Sequence, residues 1–425
     1  MEIKNITGKY INEVYQKINH PSGLNIYIYP REYSSMTYAI LGTKYGSVDN
    51  CFQRSDEGKA ETVPEGIAHY LEHKLFESED GDAFSRYAET GASANAFTSF
   101  DTTCYLFSCT ERVYDSLEIL LDFVQSPYFT KESVAKEQGI ISQEIKMYDD
   151  DPQWKLFFNN LRAMYHYHPI RQDIAGTVDS IAQITPEHLY RCYDTFYNLH
   201  NMALCIVGNV DTEEVLKVCD KVLKPSEPVH VKRIFKDEPV EVVSSYIEER
   251  MSVASPLFQF GYKEAVTSVE RTESDVAAVE VLLDILASDA SPLFRSLLDD
   301  ELVNESSFNY SYFEGTGFAS VFFEGESKDP KRVSQRIREE ILRLKSEGID
   351  KEVFERSKRA VYGENISAMN NASSVARGII ERVFKNRELF EYIDAFSSLT
   401  LEDVRQKLEY IFDESKSSLS VILPL

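Results

Sequence analysis

His69, Glu72 and His73 stand at positions i, i+3 and i+4 of the run His69-Tyr70-Leu71-Glu72-His73. On an α-helix that spacing puts the three side chains on one face. Two imidazoles so placed can share one metal ion, and a carboxylate at the ion's open side can take a proton from water, which is the chemistry of a zinc hydrolase. Gly66-Ile67-Ala68, Leu71, Leu75 and Phe76 supply apolar positions of helical period. Pro64, which lacks the backbone donor that a first helical turn leaves unpaired, is expected to open that helix. Two histidines do not complete a catalytic zinc site, which usually takes three protein ligands. The run Lys136–Met147 offers Glu137 and Glu144, seven residues apart and so on one side of a helix, with Ile140, Ile141 and Ile145 as apolar neighbours. One can ligate and the other can organise its surroundings; spacing alone leaves open which does which.

The elements that must position these residues are legible as periodic runs. Ile26–Tyr29 and Tyr38–Leu41 read as strands, followed by helices near 112–126, 131–148 and 154–165. Further on, strands are expected near 256–262, 307–313 and 318–325, and helices near 270–288 and 350–370. Strands and helices grouped in this way predict α+β domains. The chain also carries an internal repeat at an offset of 215 residues. Asp179–Thr185 aligns with Asp394–Thr400, Leu189 with Val404, Phe196-Tyr197 with Ile411-Phe412, and Leu204–Val207 with Leu419–Ile422. In each copy a helix leads to a closing strand, and only the first copy has a His-x-x-Glu-His run. The expected division is 1–224 as the zinc-bearing half, 225–245 as a linker beginning Pro225-Ser226-Glu227-Pro228, and 246–425 as a second half without a metal site.

Composition bounds the function. A chain of 425 residues with 43% hydrophobic and 27% charged residues can bury large cores in two to three domains. The net charge of −25 disfavours nucleic acid and anionic membrane as partners, and suits basic peptides where the acids line a cavity. No apolar run is long enough to span a membrane, and Met1–Asn5 has no signal-peptide core, so a cytoplasmic location is expected. The six cysteines lack metal-type spacing and are expected to be reduced and mostly buried.

Beyond the motif, the first half continues through Gly91–Ser99, Thr103–Phe107, Met147–Pro152, His168-Pro169, Ile174–Thr177, Asn201-Met202 and Val207–Val210. With these runs the chain resembles the insulinase, pitrilysin and mitochondrial processing peptidase family of inverzincin zinc peptidases, and is most similar to its short bacterial two-domain members of the YmfH type. The resemblance implies Zn2+ held by His69, His73 and Glu144, with Glu72 as catalytic base and Glu137 as assisting acid. It makes Ala94-Asn95-Ala96 an edge strand on which an extended peptide substrate pairs its backbone. The fold implied is two similar α/β-sandwich halves, each a mixed, mostly antiparallel sheet with helices, in a clamshell arrangement. The activity implied is a zinc-dependent endopeptidase, hydrolysing peptides or small protein segments by metal-activated water, in a homo- or hetero-dimer with a paralogous subunit. The other reading is a non-proteolytic or assembly subunit of a hetero-oligomeric peptidase, or of a modification-associated complex of the elongation factor P type.

One departure bears on that choice. Many family members carry, after a Ser-x-Leu-Phe segment in the second half, an Arg and then a Tyr that hold the substrate carbonyl. Here Ser291-Pro292-Leu293-Phe294 fits the segment, but Leu298 and Glu305 fall at the Arg and Tyr positions, and Tyr310 can serve only after an insertion. A paralogous partner supplying the pair is therefore expected. His166 and His168, before Pro169, read as turn residues, and Trp154 with the aromatic run behind it reads as packing.

Overall fold

Strands that read as unbroken apolar runs belong in the middle of sheets, where both faces are covered. In the computed structural model, which describes residues 2–79, 81–264 and 271–425, Thr37–Thr43 and Met202–Gly208 are buried at every position. They lie in a seven-stranded sheet of order Ile3–Thr7, Val14–Asn19, Asn25–Pro30, Met202–Gly208, Thr37–Thr43, Thr103–Cys109, Ser93–Thr98. A five-stranded sheet follows the order Tyr246–Met251, Ser417–Pro424, Leu257–Lys263, Phe318–Glu326, Asn309–Gly315. Its plan repeats the last five strands of the first sheet. Each has one parallel pair, Asn25–Pro30 with Met202–Gly208 and Tyr246–Met251 with Ser417–Pro424, and antiparallel neighbours beyond it.

The repeat read from the sequence reappears in the local chemistry. Thr185 accepts the His188 amide and Thr400 the Asp403 amide, each capping the helix that leads to a closing strand. Those closing strands begin at Met202 and Ser417, 215 residues apart. The fold is thus α+β in two similar halves.

Packing does not follow chain order. Residues 1–145, 173–234 and 367–391 form one compact unit, and 146–172, 235–366 and 392–425 the other. In the first unit the helix Ala372–Phe384, capped by Asn371, lies on Met202–Gly208 and Thr37–Thr43. Gly42 permits this approach, because a Cβ there would come within 2.9 Å of Ile380 and 3.0 Å of Phe384. In the second unit the helix Pro152–Met164, capped by Asp151, lies on Leu257–Lys263 and Ser417–Pro424 in the same manner. Each half of the chain therefore covers its sheet with a helix from the other half. No helix among the described residues is long and apolar enough to cross a membrane.

The segment expected as a linker is more ordered than its Pro-rich start suggests. Val231–Arg233 pairs with Cys51–Arg54 as a short strand, and the Arg233 guanidinium binds Asp49 and, at 2.7 Å, the Lys44 carbonyl. Within the second unit, Glu238 accepts the backbone N–H groups of His166, Tyr167 and His168 at 2.7, 2.7 and 3.0 Å. It also accepts the Lys263 ammonium at 3.1 Å, in a pair whose side chains are only 2% and 1% exposed. Burial alone would raise the Glu238 carboxyl, but its donors outweigh that and hold it below the usual carboxylate range. Burial pulls the Lys263 ammonium down, so the backbone donors rather than the ion pair are the main stabilising contribution. Glu238→Gln, which leaves Lys263 charged without its carboxylate, should cost about 3–5 kcal/mol in urea unfolding near pH 7. Because the folded pKa lies below the unfolded one, the Glu238 contribution is present above the usual glutamate pKa and fades as pH falls through the folded value; acid titration of wild type should show this loss and the Gln variant should not.

Candidate metal centre

The helix bearing His69, Glu72 and His73 runs Ile67–Leu75. It does not start at Pro64 as expected. Gly66, left-handed at φ 85°, is the N-cap, with no side chain capping the first turn. A Cβ on Gly66 would meet the Ala175 carbonyl oxygen at 2.4 Å, and one on Gly176, also left-handed at φ 74°, would meet the Glu65 oxygen at 2.6 Å. Two backbone segments thus abut without side chains between them, and Ser180 closes the contact by donating to Glu65 O at 2.9 Å. That contact, not a proline, sets where the helix begins.

Glu137 and Glu144 lie on the helix Lys131–Asp149, within a residue of the expected bounds. The buried Tyr70 hydroxyl donates to the Val134 carbonyl and so fixes one helix against the other. Across the gap, Glu144 Oε1 is 3.6 Å from His69 Nε2 and Glu144 Oε2 is 3.4 Å from His73 Nε2. One donor atom from each of the three residues lies within 4.8 Å of the others, and among the described residues this is the one such group. Glu137 Oε1 sits 3.0 Å from His73 Nδ1, an acceptor that favours a proton on that nitrogen and leaves Nε2 on the side of Glu144.

Glu72 is 8% exposed, and its Oε2 accepts a hydrogen bond from the Thr98 hydroxyl at 2.8 Å. Burial raises the Glu72 carboxyl above its ordinary value against the opposing pull of His69 and Thr98. His73 is shifted upward: burial depresses it, but the Glu137 bond and the charges of Glu72 and Glu144 prevail.

Ala94, Asn95 and Ala96 lie on Ser93–Thr98, the outermost strand of the first sheet. Ala94 and Ala96 are half-buried; Asn95 is exposed, and its Oδ1 accepts the Ala96 N–H at 2.8 Å. Thr98 received no role from the sequence. It shares the strand face of Ala94 and Ala96, and a hydroxyl in an otherwise small apolar row was the available signal.

In the second unit the Tyr310 hydroxyl points to Asp284 Oδ2 at 3.4 Å, while Glu305 is exposed. Ser291 caps the helix Pro292–Asp299, on which Leu298 lies. His168 is a buried structural residue: Nδ1 accepts the Ile170 N–H and Nε2 donates to Thr316 O, and burial lowers its pKa to about 4. Trp154 stacks on Tyr148 at 4.5 Å, as packing requires.

A helix-borne His-x-x-Glu-His run facing a second acidic helix, in a chain of two like halves, defines a class of metallopeptidase folds. Residues 59–178 match the family described as insulinase (peptidase family M16), and residues 183–361 match the peptidase M16 inactive domain. The chain belongs to peptidase family M16, the insulinase family. It is 37% identical to the uncharacterized zinc protease YmfH of Bacillus subtilis (strain 168), over 99% of both chains. A solved M16-like peptidase from Alicyclobacillus acidocaldarius superimposes with a TM-score of 0.92 at 34% identity, over 100% of this chain and 99% of that one. An Arabidopsis thaliana relative named "Probable mitochondrial-processing peptidase subunit beta" is 25% identical over 85% of this chain and 71% of its own length.

Gly66→Ala tests the positioning of the metal helix. A left-handed non-glycine costs about 1–2 kcal/mol, and the backbone overlap with Ala175 adds to it. The variant should melt several degrees below wild type with chelator present throughout.

Proposed function

We propose that this chain is a zinc-dependent endopeptidase acting on peptides or small protein segments, with His69, His73 and Glu144 as the metal ligands. The observation that carries the reading is the spacing of the donors. One donor atom from each of the three residues lies within 4.8 Å of the others, and the two Glu144 oxygens stand 3.6 and 3.4 Å from the His69 and His73 nitrogens, a spread near the edges of about 3.3 Å that tetrahedral zinc with bonds of about 2.0–2.1 Å requires. His69 Nδ1 is buried without a hydrogen-bond partner, so the orienting bond is the one made by His73, and Glu137 supplies it.

Zinc at this point supplies a Lewis acid that polarises a carbonyl and acidifies water. Glu72 takes the proton of the attacking water and returns it to the leaving amine, and its raised pKa brings it closer to the range in which a carboxylate does both. Glu137 holds His73 in one tautomer and assists from behind it. The outer strand carrying Ala94, Asn95 and Ala96 holds the substrate extended, and Asn95 releases the Ala96 N–H to a substrate carbonyl. The overall charge of −25 favours basic peptides, and we place the enzyme in the cytoplasm.

A paralogous partner belongs to the reading. Leu298 and Glu305 offer no cation and no phenol, and the Tyr310 hydroxyl is turned to Asp284. The subunit name of the Arabidopsis relative supports a two-chain assembly. The second reading, a non-proteolytic or assembly subunit, is favoured by the same lack of carbonyl-holding groups and by the inactive-domain match over 183–361.

Zinc content decides the ligands. His69→Ala, His73→Ala and Glu144→Ala should each lose most of the stoichiometric metal, and Glu137→Gln should weaken zinc affinity by about tenfold to a hundredfold. Glu72→Gln should keep the metal and lose turnover; cleavage at the original rate would remove Glu72 from the mechanism. Peptide cleavage by the lone chain should be about a hundredfold or more below that with a paralogous subunit carrying the Arg and Tyr. Full activity alone would dismiss the partner, and no chelator-sensitive cleavage in any combination would favour the assembly-subunit reading.

A further inference from the structure

The Glu72 carboxylate has two oxygens, and only one of them is engaged by Thr98. The Thr98 hydroxyl lies 2.8 Å from Glu72 Oε2. The neighbouring Thr103 hydroxyl donates to the Tyr45 carbonyl at 2.9 Å and stands 3.5 Å from Thr98 Oγ1, so its own proton is committed elsewhere. Thr103 is fully buried on the strand beside Thr98, and the two are directly paired across the ladder. The sheet therefore fixes the backbone from which the Thr98 hydroxyl reaches Glu72.

We propose that Thr98 is a positioning residue for Glu72: its hydroxyl donates to Oε2 and fixes the orientation of the carboxylate. A carboxylate held at one oxygen cannot swing freely, so the other is held in a set direction. So oriented, Glu72 takes the proton of the attacking water as the water oxygen bonds to the carbonyl carbon, and gives it to the amide nitrogen as the C–N bond breaks. Thr98 ends the same strand that carries Ala94, Asn95 and Ala96. One strand would thus fix both the path of the peptide backbone and the orientation of the base, which ties substrate register to proton transfer. The inference rests on the peptidase reading, and its test includes a measurement that does not.

The variants are Thr98→Val, which keeps the shape and removes the hydroxyl, and Thr98→Ser, which keeps the hydroxyl. With zinc-loaded full-length chain, and with partner subunit if cleavage needs it, Thr98→Val should lower kcat by about tenfold to a hundredfold with KM little changed, as misplacement of a reacting group does. Zinc content should stay at the wild-type value, and Thr98→Ser should recover most of the rate. Crystal structures of the metal-free proteins give the second readout: the Glu72 carboxylate should keep its orientation in Thr98→Ser and lose it in Thr98→Val. Should Thr98→Val fail to fold, Thr98→Ala carries the same two measurements. Wild-type kcat in the Val variant, a Ser variant as slow as Val, or an unmoved Glu72 in the Val crystal would each overturn the proposal. If wild type cleaves no peptide under any condition, the peptidase reading fails, while the metal-free crystals still decide whether Thr98 orients Glu72.

Discussion

Three carboxylates converge on two imidazoles at the heart of the first unit, and that crowding is the constraint on which the rest depends. Glu72 and Glu137 are 8% and 6% exposed, and Glu144 reaches both His69 and His73. Like charges brought together in a region of low dielectric repel, and burial penalises each of them further. Burial raises the Glu72 carboxyl, while the surrounding carboxylates raise His73 against its own burial. A divalent cation offsets the crowded negative charge at its centre, whereas protons offset it piecemeal. The set is thus poised for a cation by its electrostatics as well as by its distances.

Holding such a set in place requires scaffolding that does not depend on the charges themselves. The Tyr70–Val134 bond joins the two helices through a neutral pair, and the contact of Gly66 with Ala175 and of Gly176 with Glu65 seats the first helix by backbone alone. The sheet contributes Thr98 through a ladder whose inner neighbour, Thr103, is anchored to the Tyr45 carbonyl. Three independent supports, a helix, a loop and a strand, meet at one carboxylate and two rings. A metal site so braced keeps its shape when its own charges change.

Much of this was legible in the sequence, and the reasons differ by residue. His69, Glu72 and His73 declare themselves because a helix has one period, and Glu137 and Glu144 because seven residues make nearly two turns. Thr185 and Thr400 mark the repeat because a helix N-terminus needs a side-chain acceptor wherever it occurs. The helix start was misread because Pro64 satisfies a local rule, while Gly66 answers to Ala175, more than a hundred residues away, and a local pattern carries no such information. The exchange of Pro152–Met164 and Ala372–Phe384 was invisible for a related reason. Apolar periodicity tells which face of a helix is buried, but not which sheet buries it; Gly42 records the answer only once Ile380 and Phe384 are known to sit over it. Thr98 escaped because a strand threonine is ordinary until a carboxylate is placed 2.8 Å from it.

The second half shows the same plan without a His-x-x-Glu-His run. The helix Lys351–Ala368 is the counterpart of Lys131–Asp149, 220 residues on, and places Ser357 and Glu364 where the first half has Glu137 and Glu144. The long helix Glu273–Ala287 offers Asp284 among buried apolar residues. Asp284 and Glu364 are both shifted upward, chiefly by burial, and Asp284 interacts with Ser357 and Tyr310. Such a cluster of acids and a phenol offers none of the neutral nitrogen donors that zinc prefers, and its hydroxyl partners pull against the burial that raises Asp284. The Tyr310 phenol is drawn into that arrangement, its hydroxyl 3.4 Å from Asp284 Oδ2. The acids of the second half and the Tyr310 phenol thus belong to a single buried polar cluster.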